Sequence, residues 1–409
     1  MSKSKTTTTT TTAPKMNLYA ASNQWATRPA DERFWTVEDA QAACLAYATT
    51  AVEKPLTLQA DSITHDGHNI LIGVGDENPA TMTNWGFGQL AKIASAPAGY
   101  LRSLPAGVAV DCLKAGILKG GESKEQSVMF HKNGTNILRS VTSTIYKRIW
   151  NHEVFGRLVN LQESGWKVPP GRVSPMGDDR ARPATKADVL RVKSTGGGQS
   201  VKVGDMIAPA GIYASDHDMF CFMINEDNRI EDGSDGGLSR GFFIQNSEVG
   251  AAALKVNCFQ YRHVCGNHIV WDATNVINVT LRHVGEVMTK FESEALPALD
   301  KYLKASAKEE TARVARARKL SLGKDETEVI ATVYKALAGN RRGGINSGLN
   351  VKMITDAIQM CRENEATDGD PFTCWGFVNG FTRLSQLTGF ADDRDFMDRA
   401  AAAVLALAV

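Results

Sequence analysis

Ser127-Val-Met-Phe-His-Lys-Asn-Gly-Thr-Asn-Ile-Leu-Arg-Ser-Val-Thr-Ser-Thr144 is the stretch from which the fold is read. Its two arms, Ser127 to Phe130 and Asn136 to Thr144, are rich in apolar and β-branched residues. Between them Asn133-Gly134 supplies the pair that tolerates positive φ in a tight turn, so the stretch predicts an antiparallel hairpin. Toward the amino terminus, Thr36 is placed to cap a helix opening Val37-Glu-Asp-Ala40, with Glu38 and Asp39 in its first turn. Leu56 to Val74 predicts a second hairpin about Asp66-Gly67, and helices are expected from Asn84 and over Val108 to Leu118. Toward the carboxyl terminus a helix reaches about Leu161, and Pro169 to Thr185 predicts a long surface loop. Met206 to Trp271 is a second β-rich region, in which Asn225 to Gly237 predicts an acidic loop and Leu254 to Val264 a strand. From Val284 the apolar spacing turns helical, with further helices over Glu326 to Ala338, Asn350 to Cys361, Trp375 to Leu387 and Asp392 to Val409. The expected class is α+β: a β-rich core with hairpins and a mainly helical carboxy-terminal third. Residues 1–15 are expected to be a disordered Thr-rich tail, 16–283 an α+β core with a subdomain boundary near 169–200, and 284–409 a helical region.

Composition narrows the function classes. Lys and Arg number 46 against 45 Asp and Glu, so any attraction to a polyanion must come from local clustering. The Thr6 to Thr12 tract has no apolar segment of the kind a secretory signal needs, and no run approaches the ~18 apolar residues of a membrane span. The seven cysteines are odd in number and scattered, which argues against disulfides. A cytoplasmic protein without a membrane partner is expected.

Four groups of residues bear on chemistry. Cys258, His263, Cys265 and His268 offer thiolates and imidazoles, but their spacing matches no common zinc module and strand alternation sets Cys258 opposite His263 and Cys265. No metal or other cofactor is expected. The acidic run Glu226 to Asp235 lacks the alternating ligand register of a calcium loop and is expected to be a solvated hairpin tip. Asn246, Ser247 and Glu248 fall between a Phe-Phe-Ile strand and a small-residue stretch, where they predict the cap of a helix beginning near Glu248 and an anion site beside the strand carrying Arg262. Arg139, Tyr146, Lys147 and Arg148 beside Trp150, and Tyr261 with Arg262, interleave cations with flat rings, the combination used to track phosphates and stack bases. The basic run Arg313 to Lys319 sits beside Glu309 and Glu310 on a predicted helix, where intrahelical pairing would account for it.

Gly241-Phe-Phe-Ile-Gln-Asn-Ser-Glu-Val-Gly250, continuing through Tyr261-Arg262 to Cys265-Gly-Asn-His-Ile-Val-Trp271, resembles the phage/plasmid-like family called domain of unknown function 932. Arg139-Ser-Val-Thr-Ser-Thr-Ile-Tyr146 and Trp375-Gly-Phe-Val-Asn-Gly-Phe-Thr382 agree with its pattern, whereas Gly-Asn-His after Cys265 departs from the more usual Asn-Gly. The resemblance implies a setting among prophages and plasmids and carries no established activity. No nucleophile elbow or phosphate loop is present in the sequence. The leading expectation is a non-enzymatic accessory protein that binds single-stranded nucleic acid, as in annealing or recombination. A nucleic-acid-modifying enzyme and a non-enzymatic interaction or anti-defence protein remain alternatives, and a homo-oligomer is compatible with each.

Overall fold

The computed structural model describes residues 32–408 apart from 121–124, 175–178, 195–200, 234–236, 263–267, 270–277, 339–349, 387–396 and positions 76, 134, 170, 210, 398 and 399. The expected tail at 1–15 and the metal candidates His263 and Cys265 lie outside the described residues. The first unit opens with α1 (Val37–Ala48), whose start is set by Thr36: its hydroxyl accepts from the Asp39 amide at 3.1 Å. There follow β1 (Ala51–Thr57), β2 (Ile63–His65), β3 (Ile70–Ile72), β4 (Thr81–Met82), α2 (Asn84–Ile93), α3 (Ala106–Lys119), β5 (Glu125–Asn133), β6 (Thr135–Ser143) and α4 (Asn151–Leu161). The predicted hairpin is β5–β6, the centre of a sheet of order β1-β5-β6-β4. The Leu56 to Val74 hairpin is shorter than expected. Only β2 and β3 pair about Asp66, because β1 is drawn away to pair along its whole length with β5.

β6 is irregular at one position. Met129 faces Ser140 and Phe130 faces Leu138, so Arg139 is the extra residue of a β-bulge. A bulge re-aims its side chain and raises the local twist. Val128, Phe130, Leu138 and Val141 close a core with Phe87 and Leu90 of α2 and Leu113 of α3, while Arg139 reaches the polar groups of other elements.

The second unit is a sheet of order β11-β12-β13-β14-β15, with β7 (Trp166–Lys167) and β16 (Asn278–Leu281) added at its sides. Its named strands are β11 (Ile212–Ala214), β12 (Met219–Ile230), β13 (Leu238–Asn246), β14 (Leu254–Arg262) and β15 (His268–Ile269). Between β7 and β11, three short strands, β8 (Arg172–Val173), β9 (Arg182–Pro183) and β10 (Met206–Ala208), make a separate small sheet, and the first two fall where the surface loop was expected. Met219, Cys221, Met223, Phe242, Ile244, Val256 and Cys258 alternate onto one face and pack against α1, α4 and the helical segment around Phe291 and Leu299. The opposite face carries Phe220, Phe222, Phe243 and Phe259. The acidic stretch is not all loop: β12 runs through it to Ile230, with its register broken between Asn225 and Ile230.

Helices α5 (Leu296–Leu303), α6 (Ala307–Lys319), α7 (Glu326–Ala338), α8 (Val351–Arg362) and α9 (Cys374–Gln386) make the carboxy-terminal third. Leu299 and Tyr302 of α5 belong to the core of the second sheet, whereas α6 to α9 share a core of their own that takes in Ile230 and Leu238 at one end of β12–β13. The basic run on α6 is held mostly by backbone carbonyls. Arg313 pairs with Glu310 at 3.4 Å, but Arg316 donates to Ala408 and Arg318 to Asp232, so intrahelical pairing explains only the first. The protein is thus α+β.

Gly376 and Gly380 place two positions without a side chain on one face of α9. A Cβ on Gly380 would stand 2.1 Å from the Ala357 carbonyl of α8, so the helix pair can approach only because that atom is missing. Gly380→Ala is expected to destabilise the protein by about 1–3 kcal/mol through overpacking, measured by urea unfolding. An unchanged midpoint would show that α8 and α9 can move apart freely.

Candidate nucleic-acid interface

Six of the nine residues singled out in the sequence converge. Arg139 from β6, Tyr146 and Arg148 from the segment after it, and Asn246, Ser247 and Glu248 from the end of β13 meet where the two sheets join. The guanidinium of Arg139 is fully buried and pairs with the Glu248 carboxylate at 2.9 Å, itself 3% exposed. Arg139 also donates to the Asp216 carbonyl in the β11–β12 turn at 2.7 Å and to His131 Nε2 at 3.1 Å. The second Glu248 oxygen accepts the Asn151 amide at 2.8 Å, at the first turn of α4, where the helix dipole favours an anion. One carboxylate therefore ties β6 to α4 through the β13–β14 turn.

Around this pair the groups are ordered outward. Since an arginine can only donate, His131 accepts at Nε2 and its Nδ1–H donates to Thr50 Oγ1 at 2.8 Å, which in turn donates to the Tyr47 carbonyl. The Tyr47 ring stacks on His131 at 3.9 Å between centroids and lies 4.5 Å from the Arg139 guanidinium. Burial, then the charge of Arg139, pushes His131 down from 6.5 to about 4. Burial, then the charge of Glu248, raises the Cys44 thiol to about 12, so it behaves as an inert core group.

On the outer side Arg148 grips Glu53 with two nitrogens, at 3.0 and 3.2 Å, and donates to the Glu248 carbonyl. Burial works against the Glu53 charge, but the hydrogen bonds and charge of Arg148 prevail and hold that carboxyl below its ordinary value. Tyr146 donates to the Ser247 carbonyl at 2.8 Å and stacks on His283. Asn246 donates to Ile149 O and Asn151 Oδ1, at 3.0 and 2.9 Å.

No helix begins at Glu248. Ser247 to Ala253 is a turn joining antiparallel β13 and β14, with Gly250 at φ +81. Ser247 Oγ takes up the Val249 and Ala251 amides, at 3.3 and 2.9 Å, and donates to His217 O. The left-handed glycine and the pairing of Gln245 with Lys255 override the helical propensity of the alanines. Two of the turn amides expected to hold an anion, those of Val249 and Ala251, are thus already occupied. Arg262 and Tyr261 pair with Leu238 and Ser239, at the far end of β13 from Asn246. A nine-residue strand separates those ends by about 27 Å.

What stays open is a groove of about 450 Å³ beside this junction, lined by Glu53, Lys54, Pro55, Glu125, Ser127, Thr144, Tyr146, Lys147, Arg148 and Trp150. Lys147 is exposed, and Tyr146 and Trp150 are half-buried. The Arg148 guanidinium lies 5.6 Å from each of those two rings and fixes them side by side. Tyr47, His131, Glu53 and Thr50 escaped the sequence reading, since no local pattern marks them. Cys258 is buried in the core of the second sheet, and among the described residues no cluster of His, Cys, Asp or Glu fits a metal ion. Among the described residues no helix is long and apolar enough to cross a membrane.

Removing one partner of a buried ion pair leaves the other charged and unmatched. Arg139→Met and Glu248→Gln are each expected to cost about 3–5 kcal/mol in denaturant unfolding, and the pair together less than their sum. Losses under about 1 kcal/mol would mean that water replaces the missing partner. The histidines set a pH dependence with a definite sign. Burial holds the folded-state values of His131 and His283 at about 4, below the ordinary 6.5. The unfolded chain therefore binds more protons, so the contribution is complete above about pH 6.5 and is lost as pH falls toward 4. Urea midpoints should fall between pH 7.5 and 5, with His131 still neutral by NMR at the lower end; a midpoint that rises would reverse the assignment.

No protein-family model matches the chain, and neither a curated protein nor a solved structure matches it.

Proposed function

We propose that the chain binds single-stranded nucleic acid as an accessory protein of a phage or plasmid, acting without a covalent step. The observation that carries the reading is the groove beside the buried junction. There the exposed Lys147 adjoins the half-buried rings of Tyr146 and Trp150, while Arg148 neutralises Glu53. A cation next to two oriented rings suits a strand whose bases are unstacked: the phosphate meets the ammonium and a base lies on a ring. A duplex keeps its ring faces stacked and offers only phosphates. Arg139 takes no part, because it is buried and paired with Glu248. The mobile-element setting follows from the resemblance carried by the Gly241 to Gly250 and Trp375 to Thr382 motifs.

The test is fluorescence anisotropy with an oligothymidylate and its duplex at two salt concentrations. Single strand should bind more tightly than duplex. Lys147→Gln should lower the log–log salt slope by about 0.7, the contribution of one single-strand phosphate contact. Trp150→Ala should weaken binding by about ten-fold, within the range for a lost stacking platform. Binding that ignores salt and both substitutions would remove the reading.

A further inference from the structure

We propose that a second groove, between α2 and the Ser247–Gly250 turn, is a base-accepting subsite that takes a flat heterocycle against Trp85 with its phosphate on Lys92. The proposal rests on the single-strand reading above and extends it from one platform to two. The groove measures about 420 Å³ and is lined by Trp85, Gly88, Gln89, Lys92, Ile93, Gln126, Val141 and Gly250. Five of these, Trp85, Gly88, Gln89, Lys92 and Ile93, recur at helical spacing and form one stripe of α2, while Phe87, Leu90 and Ala91 face the core.

The lining has the character of a ring slot. Trp85, Ile93 and Val141 give it apolar walls, and Lys92 is the one charged side chain among its described lining residues. The indole is fixed in orientation: its N–H donates to the Val249 carbonyl at 3.0 Å. Gln89 is committed at both ends, donating to Val249 O at 2.7 Å and accepting from the Val141 amide at 2.9 Å. Neither group must reorganise to receive a ring, and Gln89 has its carbonyl and one N–H already engaged. Binding there is set by stacking rather than by sequence. Gly88 keeps the floor between Trp85 and Lys92 free of a side chain.

The two grooves come close at one point. A Cβ built on Gly250 would lie 3.7 Å from both Gln89 Nε2 and Tyr146 Cε2, so this glycine separates the Trp85 slot from the Tyr146 groove. Gln126 lines one groove and its neighbours Glu125 and Ser127 the other, so strand alternation sets the two on opposite faces of β5. A strand leaving Trp150 and Tyr146 therefore reaches the second platform by crossing at Gly250, where no side chain stands between them.

The decisive variant fills the slot without disturbing the fold. At Gly88 the nearest atom to an added Cβ is Arg102 Nη2 at 3.6 Å, an ordinary contact, and replacing a helix-interior glycine by leucine favours the helix. Gly88→Leu, Trp85→Ala and Trp85→Phe are compared with wild type using thymidylates of about four and about twelve nucleotides, lengths spanning common site sizes. Gly88→Leu and Trp85→Ala are expected to weaken the longer strand by about ten-fold and the shorter by less than about two-fold, with Trp85→Phe close to wild type because it retains a stacking ring. Thermal melts confirm that Gly88→Leu is folded. If folded Gly88→Leu binds the longer strand as wild type does while Trp150→Ala weakens it, the second subsite is overturned and the single-strand reading stands. If neither groove's substitutions matter, or wild type binds no oligonucleotide, both fall.

Discussion

A guanidinium and a carboxylate buried together impose a strict requirement on the chain around them, because every donor and acceptor they leave unmatched costs desolvation energy. Arg139 and Glu248 meet it with Asp216 O, His131, the Asn151 amide and each other. Those partners come from the β11–β12 turn, β5, α4 and the β13–β14 turn, which belong to both sheets. The relative placement of the two sheets is thereby written into one ion pair. A pair with hydrogen bonds in four directions leaves the two sheets little room to shift.

This arrangement changes what the basic residues of the sequence are for. Arg139 and Arg148 look like surface cations when read in isolation, yet one is internal and the other is taken up by Glu53 and the Glu248 carbonyl. Their role is to hold rings: Arg139 lies against Tyr47, and Arg148 against Tyr146 and Trp150. The other cations that line the two grooves are lysines, Lys54 and Lys147 in one and Lys92 in the other. Under the proposed reading, such a surface would exert little long-range pull, in keeping with a net charge of +1, and would depend on stacking once contact is made.

Much of the local structure was legible because local chemistry decides it. Thr36 caps α1 with its own hydroxyl, and the hairpin expected over Ser127 to Thr144 is the pairing of β5 with β6. The convergence of Arg139, Tyr146, Arg148, Asn246, Ser247 and Glu248 was present in the sequence as a list of polar residues, but not as a place. Two causes hid it. The bulge at Arg139 breaks the period-2 rule that assigns faces along a strand, and the partners lie about a hundred positions apart in the chain, at a separation of 109 for Arg139 and Glu248. The helix expected at Glu248 failed for a related reason. Gly-Ala-Ala-Ala is helix-compatible by composition, but β13 and β14 pair through to Gln245 and Lys255 and leave it only a turn. The reach of β12 through acidic residues to Ile230 was concealed in the same way, since its pairing with Leu238 is invisible to a local window.

Hydrogen exchange of the intact chain, with and without a single-stranded thymidylate, tests the central claim most directly: the buried junction is scaffold and the open grooves beside it are the binding surface. The account predicts added protection over Thr144 to Trp150, Trp85 to Lys92 and Ser247 to Gly250, with the Asn151 amide already strongly protected and unchanged by the ligand. Protection confined instead to the far end of β14 around Arg262, or to Arg313 to Lys319 on α6, would contradict it.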